Sequence, residues 1–293
     1  MITLQAVIEQ LHQQFDDADL FYGHGTDNAW DEAVALALTI TRLPDDQQSM
    51  LVEVSQPQQE LINSIAKQRI GSKKPLAYLL GECQYMGVRF LIEEGVIVPR
   101  SPLGYLIGGG LEPWLPEEVG SVLDLCSGSG CLGILAALKY PRAKVTLVEQ
   151  NPQALRLSQR NISLHGLDKQ VQAVAGNVLE TLSLDTTYDL ILCNPPYVNA
   201  EDMQSLPAEY KHEPVAALAA GVDGLDVVDG VMAQLPNLLS PHGLFVLEVG
   251  ESETTFKQKY AHLPLIWPEL DAGGEGIFLL EAQHLSSHTS PSF

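Results

Sequence analysis

The sequence predicts an α/β protein: a doubly wound, mostly parallel sheet with an antiparallel last strand, preceded by a small helical domain. Three observations carry this. From residue 122 onward, strand-like runs at 122–125, 145–148, 171–175, 190–193 and 244–249 alternate with helical stretches at 132–140, 152–165 and 226–239, the rhythm of βαβ units. The last two apolar runs, 265–267 and 277–280, are separated only by Pro268 to Gly276, too short for a helical crossover, which makes them antiparallel neighbours. Before residue 80, apolar residues recur at helical spacing without any parallel-sheet signal.

Leu4, Val7, Ile8, Leu11 and Phe15 mark the first helix, and Tyr22-Gly23-His24-Gly25 breaks it. Asp27 or Asn28 caps a second helix through Ala33, Val34, Ala37, Leu38 and Ile40, which stops before Pro44. Leu61, Ile62, Ile65 and Ala66 mark a third, closing at Gly71. Over 84–98 the period changes: Val88, Phe90 and Ile92 alternate, Glu93-Glu94-Gly95 turns the chain, and Val96-Ile97-Val98 returns it as a hairpin. Pro99-Arg100-Ser101-Pro102 leads into a short helix, and Gly108-Gly109-Gly110 with the Pro-rich stretch to Pro116 marks the next boundary. Residues 286–293 read as a disordered polar tail.

The 293 residues, 45% hydrophobic, suffice for a large core. Sixteen Lys and Arg against thirty-seven Asp and Glu leave a net charge of −21. Phosphate-tracking, sequence-independent nucleic-acid binding needs a basic face, so that class is disfavoured, while a basic protein partner is attracted. Cys83, Cys126, Cys131 and Cys193 form no Cys-x-x-Cys pair and have no His at ligand spacing; a reduced, metal-free, intracellular protein is expected. The N-terminus lacks the charge and apolar core of a signal peptide, and no apolar run approaches a membrane span. A soluble cytoplasmic protein is the expectation.

Ser121 to Gly133 reads as a strand, a glycine turn and a helix start. Gly128-x-Gly130-x-x-Gly133 matches the dinucleotide fingerprint in form. Asp124, however, stands four residues before Gly128, where its carboxylate lies beneath the loop and repels a pyrophosphate. A cofactor with a cationic centre suits it. S-adenosylmethionine carries a sulfonium, an amino group and no phosphate, and Cys126, Ser127, Gly128, Ser129 and Gly130 would approach it closely. Glu149, ending the second strand, can accept both ribose hydroxyls; otherwise it is a solvated acid before a helix that Asn151 caps and Pro152 opens. Asn177, with Val178 beside it, closes the third strand and either meets the adenine or is a plain turn residue.

Asp189-Leu190-Ile191-Leu192-Cys193-Asn194-Pro195-Pro196-Tyr197 is the sharpest feature. A buried strand ends in two prolines, at the carboxyl edge where open α/β sheets bind ligands. Prolines fix φ and remove N–H donors, leaving rigid carbonyl acceptors. The Asn194 side-chain oxygen and the Pro195 carbonyl can accept from one planar –NH2 group, with the Tyr197 ring stacked on it. Such a nitrogen, in a carboxamide or a base amine, is a poor nucleophile. Positioning supplies the acceleration, up to roughly 7–11 kcal/mol. The plain alternative is a strand terminated by Pro-Pro.

Together these motifs resemble the glutamine methyltransferases that act on proteins, over about residues 20–283. Pro75-Leu76-Ala77-Tyr78-Leu79-Leu80-Gly81, Val98-Pro99-Arg100, the Asp124 loop, the Asn194 motif and Glu213-Pro214 with Asp223-Gly224-Leu225 carry the likeness. Tyr22 to Ala33, Arg100-Ser101-Pro102, Val198 to Met203 and Tyr210 to Pro214 are similar to the branch that modifies ribosomal protein three of the large subunit. The resemblance implies a Rossmann-like class I methyltransferase domain over 118–284, binding S-adenosylmethionine. It also implies an N-terminal substrate-recognition domain over 1–82, a hairpin and linker over 83–117 and a tail over 285–293. By position, Cys126 to Gly130 would hold the methionine end, Glu149 the ribose and Asn194 to Tyr197 the substrate glutamine. The family usually carries Asp where Asn177 stands and an acid where Tyr105 stands. The rival readings are the release-factor branch, acting on a Gly-Gly-Gln loop, an amino-group nucleic-acid methyltransferase, an NAD oxidoreductase and a non-catalytic binder.

Overall fold

In the computed structural model, which describes residues 2–115, 118–180, 182, 186–270 and 273–285, the chain divides into two compact units. The tail expected over 286–293 lies outside the described residues.

The first unit comprises residues up to Glu94, with Val98–Arg100 and Pro207–Glu213. A two-residue strand β1 (Ile2–Thr3) runs into helix α1 (Leu4–Asp16), capped by the Thr3 hydroxyl. Helix α2 (Ala29–Thr41) begins at Asn28, whose side chain accepts the Asp31 N–H at 2.9 Å, as its sequence position predicts. Strand β2 (Glu53–Val54) pairs with β1, and a Ser55–Gln58 capping box opens α3 (Gln56–Ser72). Helix α4 (Leu76–Leu80) follows. Leu4, Val7, Ile8, Leu11, Phe15, Ala33, Leu36, Ile62 and Ala66 form the core of this unit. Buried Arg69 pairs with Glu32 and Glu209 and donates to the Phe21 carbonyl at 2.9 Å, while Glu209 accepts the Phe21 N–H at 3.0 Å. Those bonds tie Pro207–Glu213 to the helices.

The hairpin differs from expectation. It is formed by β3 (Glu82–Tyr85) and β4 (Val88–Leu91), turning at Met86-Gly87, and Glu93-Glu94-Gly95 is not its turn. Both turn residues are left-handed, φ 51° and 74°, the geometry of a two-residue turn matched to strand twist. Val96-Ile97-Val98 forms no strand.

In the second unit, α5 (Leu103–Gly109) precedes the sheet. The elements β5 (Ser121–Leu125), α6 (Cys131–Lys139), β6 (Lys144–Glu149), α7 (Pro152–Leu164) and β7 (Val171–Ala175) build one half. The other half comprises β8 (Tyr188–Cys193), the short α8 (Asp202–Ser205), α9 (Asp226–Leu238), β9 (Leu239–Glu248), α10 (Glu253–Lys259) and β10 (Ile277–Glu281). The order is β10-β9-β8-β5-β6-β7, parallel except for antiparallel β10. The run at 265–267 contracts to a single antiparallel bridge, Ile266 to Leu279. Pro264 and Pro268 flank it and supply no N–H to extend a ladder. Among the described residues no helix is long and apolar enough to cross a membrane.

Candidate active site

The sheet changes direction between β5 and β8, which lie side by side with Leu125 opposite Cys193. The crevice at the carboxyl ends of such a pair is where open α/β sheets take ligands, and both motifs leave the sheet there.

Cys126 leaves β5 at φ 57°, a left-handed conformation uncommon outside glycine. The Ser127 N–H donates to the Val148 carbonyl at 3.1 Å, and the Asn161 amide donates to the Ser129 carbonyl at 3.0 Å. Glu149 reaches across from β6: one oxygen accepts the Gly128 N–H at 2.8 Å, the other the Asn151 N–H at 2.7 Å. Each carboxylate oxygen keeps a lone pair for a hydroxyl donor. Gly130 and Gly133 let α6 press onto the sheet; a Cβ on Gly133 would stand 2.1 Å from the Leu147 side chain.

Asp124, 1% exposed, accepts the Gly133 N–H at 2.9 Å through one oxygen. Burial pushes its carboxyl up to about 7, the Gly133 bond opposing and the Glu149 charge adding to the rise. Its other oxygen and the Ser127 hydroxyl are buried without a hydrogen-bond partner among the described residues. An unsatisfied buried polar group costs about 1–3 kcal/mol. Two such atoms under one glycine loop fit a ligand that brings a cationic donor and no phosphate, as S-adenosylmethionine does.

Asn177 is engaged in its own turn. Its oxygen accepts the Leu179 N–H at 3.0 Å and its amide points to Glu180 at 3.4 Å. The Val178 side chain packs into the core and its carbonyl accepts from Gln234 at 2.7 Å.

At the end of β8, Pro195 and Pro196 are buried and Asn194 and Tyr197 half-buried. Among the described residues none hydrogen-bonds to the Asn194 side chain. Tyr197 is held at three points. Its hydroxyl donates to Glu248 at 2.9 Å, its carbonyl accepts from the Ser252 hydroxyl at 2.8 Å, and a Cβ on Gly250 would stand 2.4 Å from its ring. Ser101 donates to the other oxygen of Glu248. Sequence reading did not find Glu248, Ser101 or Ser252 at this motif. The one available signal was a lone acid in the apolar run 244–249. His24 and His212, to which the sequence assigns no role, both make contacts within the first unit. His24 Nε2 stands 3.5 Å from Glu213, and His212 Nε2 donates to the Ser72 carbonyl at 3.0 Å.

The family model for the methyltransferase small domain matches residues 111–216. A protein of Bordetella pertussis named ribosomal protein uL3 glutamine methyltransferase is 39% identical over 97% of both chains. Its namesake from Burkholderia pseudomallei is also 39% identical, over 97% of this chain and 95% of its own. Among solved structures, the hMettl16 catalytic domain in complex with MAT2A 3′UTR hairpin 6 shares the fold, with a TM-score of 0.52 and 15% identity. The match covers 84% of this chain and 91% of that one.

Proposed function

The chain belongs to the family of ribosomal protein uL3 glutamine methyltransferases, and from that premise we propose that it methylates the side-chain amide nitrogen of a glutamine in ribosomal protein uL3, in the cytoplasm. Bound S-adenosylmethionine supplies an electrophilic methyl group, and the reaction replaces one amide N–H with an N–CH3 bond, releasing S-adenosylhomocysteine and a proton. Asp124 and the loop from Cys126 to Gly130 hold the methionine end, with Asp124 receiving the cationic amino group. Glu149 accepts the ribose hydroxyls. Asn177 and Val178 border the adenine. The Asn194 side-chain oxygen and the Pro195 carbonyl accept the two amide hydrogens, turning the nitrogen lone pair toward the methyl, while Pro196 stiffens the edge and Tyr197 stacks on the amide plane.

What supports this reading is the pairing of the β5 and β8 ends, Leu125 opposite Cys193, together with the two orphaned buried polar atoms of Asp124 and Ser127 at the β5 end. A net charge of −21 suits a basic ribosomal substrate. Incubated with labelled S-adenosylmethionine and isolated large-subunit proteins, the protein labels a uL3 glutamine, and Asn194→Ala loses most of that activity. Label on a release-factor Gly-Gly-Gln loop would overturn the substrate while sparing the chemistry. Label in nucleic acid would overturn both.

A further inference from the structure

We infer that Glu248 is a positioning residue for amide methylation, fixing the Tyr197 ring against which the substrate amide stacks; this rests on the proposed reading of the Asn194 motif. Glu248 closes β9 one residue beyond the Leu247–Cys193 pair, beside the exit of β8. It is 4% exposed, and a buried carboxylate is held by donors on its oxygens. One oxygen takes the Tyr197 hydroxyl at 2.9 Å and the other the Ser101 hydroxyl.

The consequence is angular. A tyrosine hydroxyl lies on the axis of its ring, so the Glu248 bond fixes where that axis points, and the close approach of Gly250 fixes the plane. Stacking tolerates small tilts, but methyl transfer requires the lone pair to meet the methyl carbon in line. Misplacement by about 1 Å costs about 100-fold. Glu248 therefore acts on the rate through Tyr197 without touching substrate.

The test compares Glu248→Ala, Glu248→Gln, Tyr197→Phe and the Glu248→Ala/Tyr197→Phe double variant, with purified uL3 and S-adenosylmethionine, after thermal melts establish folding. Glu248→Ala lowers kcat about 10- to 100-fold and leaves the KM for S-adenosylmethionine within about 2-fold. Glu248→Gln, whose amide oxygen still accepts the Tyr197 hydroxyl while its –NH2 donates to Ser101, recovers most of the rate. In the Tyr197→Phe background, Glu248→Ala adds less than about 2-fold. If Glu248→Ala does not fold, Tyr197→Phe breaks the same bond from the other end and must itself lower kcat. Wild-type kcat in Glu248→Ala or Tyr197→Phe, multiplying losses in the double variant, or failure of Glu248→Gln to recover the rate overturns the inference. A wild-type protein that labels no uL3 overturns the functional reading and the inference with it.

Discussion

Glu149 accepts the Gly128 N–H at 2.8 Å, joining the end of β6 to the turn that follows β5. The same carboxylate accepts the Asn151 N–H at 2.7 Å, so one side chain both shapes the glycine turn and starts α7. Hydrogen bonds to a charged group contribute about 1.5–3 kcal/mol each. Glu149→Ala is expected to weaken S-adenosylmethionine about 10- to 100-fold by loss of the turn alone, before any ribose contact is counted. Calorimetric titration reads this directly, and an unchanged Kd refutes it.

The proposed role of Asp124 in receiving the cationic amino group predicts a pH dependence of defined sign for S-adenosylmethionine binding. Its carboxyl sits at about 7 because burial opposes ionisation. A cationic ligand binds the ionised form, so binding lowers that value and releases protons wherever the free protein is partly protonated. Affinity therefore rises as pH rises from about 6 to 8 and levels off above. Titrations at pH 6.5 in two buffers of different ionisation enthalpy measure the released protons, and Asp124→Asn abolishes the release. Buffer-independent heats at that pH would contradict the assignment.

How much of this was legible in the sequence depends on how local each feature is. The sheet strands are legible because short, mostly apolar runs alternate with helical stretches, and the glycine turn and the Asn194 motif are contiguous. The hairpin was misplaced because Met86 takes a left-handed φ that its residue type does not advertise, whereas Glu93-Glu94-Gly95 looks like a turn by composition. Glu248 and Ser101 meet across 147 residues, and Arg69 meets Glu209 across 140. Pairings at that separation are set by topology and leave no local period to read.

Gly133 tests the packing beneath the glycine loop. A Cβ there would stand 2.1 Å from Leu147 Cδ2 and 3.1 Å from Asp124 Oδ2, and Leu147 is fully buried in β6. Overpacking of this kind costs about 1–3 kcal/mol. Gly133→Ala is expected to lower Tm by several degrees and to weaken S-adenosylmethionine, since Asp124 Oδ2 also holds the Gly133 N–H. A thermal melt with and without S-adenosylmethionine separates the two effects, because a ligand that binds only the folded state adds its own increment.

Glu213 sets an acid limit on the first unit. It accepts the Val98 N–H at 3.1 Å and two Arg100 guanidinium N–H groups at 2.6 and 2.7 Å, with His24 Nε2 at 3.5 Å. Burial alone would raise its carboxyl, but His24 and the Arg100 guanidinium outweigh burial and hold it at about 2. The unfolded chain titrates near 4.3, so the folded state binds this proton more weakly. The resulting stability is full above the unfolded value and lost as pH falls toward about 2. At about 1.4 kcal/mol per tenfold difference in proton affinity, it is worth ~3 kcal/mol at neutral pH. Glu213→Gln should therefore unfold at lower urea than wild type at pH 7, and the gap should close progressively between pH 5 and pH 2. Arg100→Ala is the sharper case. It leaves a buried carboxylate short of its strongest partner, at a cost of about 3–5 kcal/mol. Lowering the pH neutralises that carboxylate, so the Arg100→Ala deficit must also shrink in acid. A deficit as large at pH 3 as at pH 7 would mean that lost packing, and not the charge on Glu213, accounts for the destabilisation.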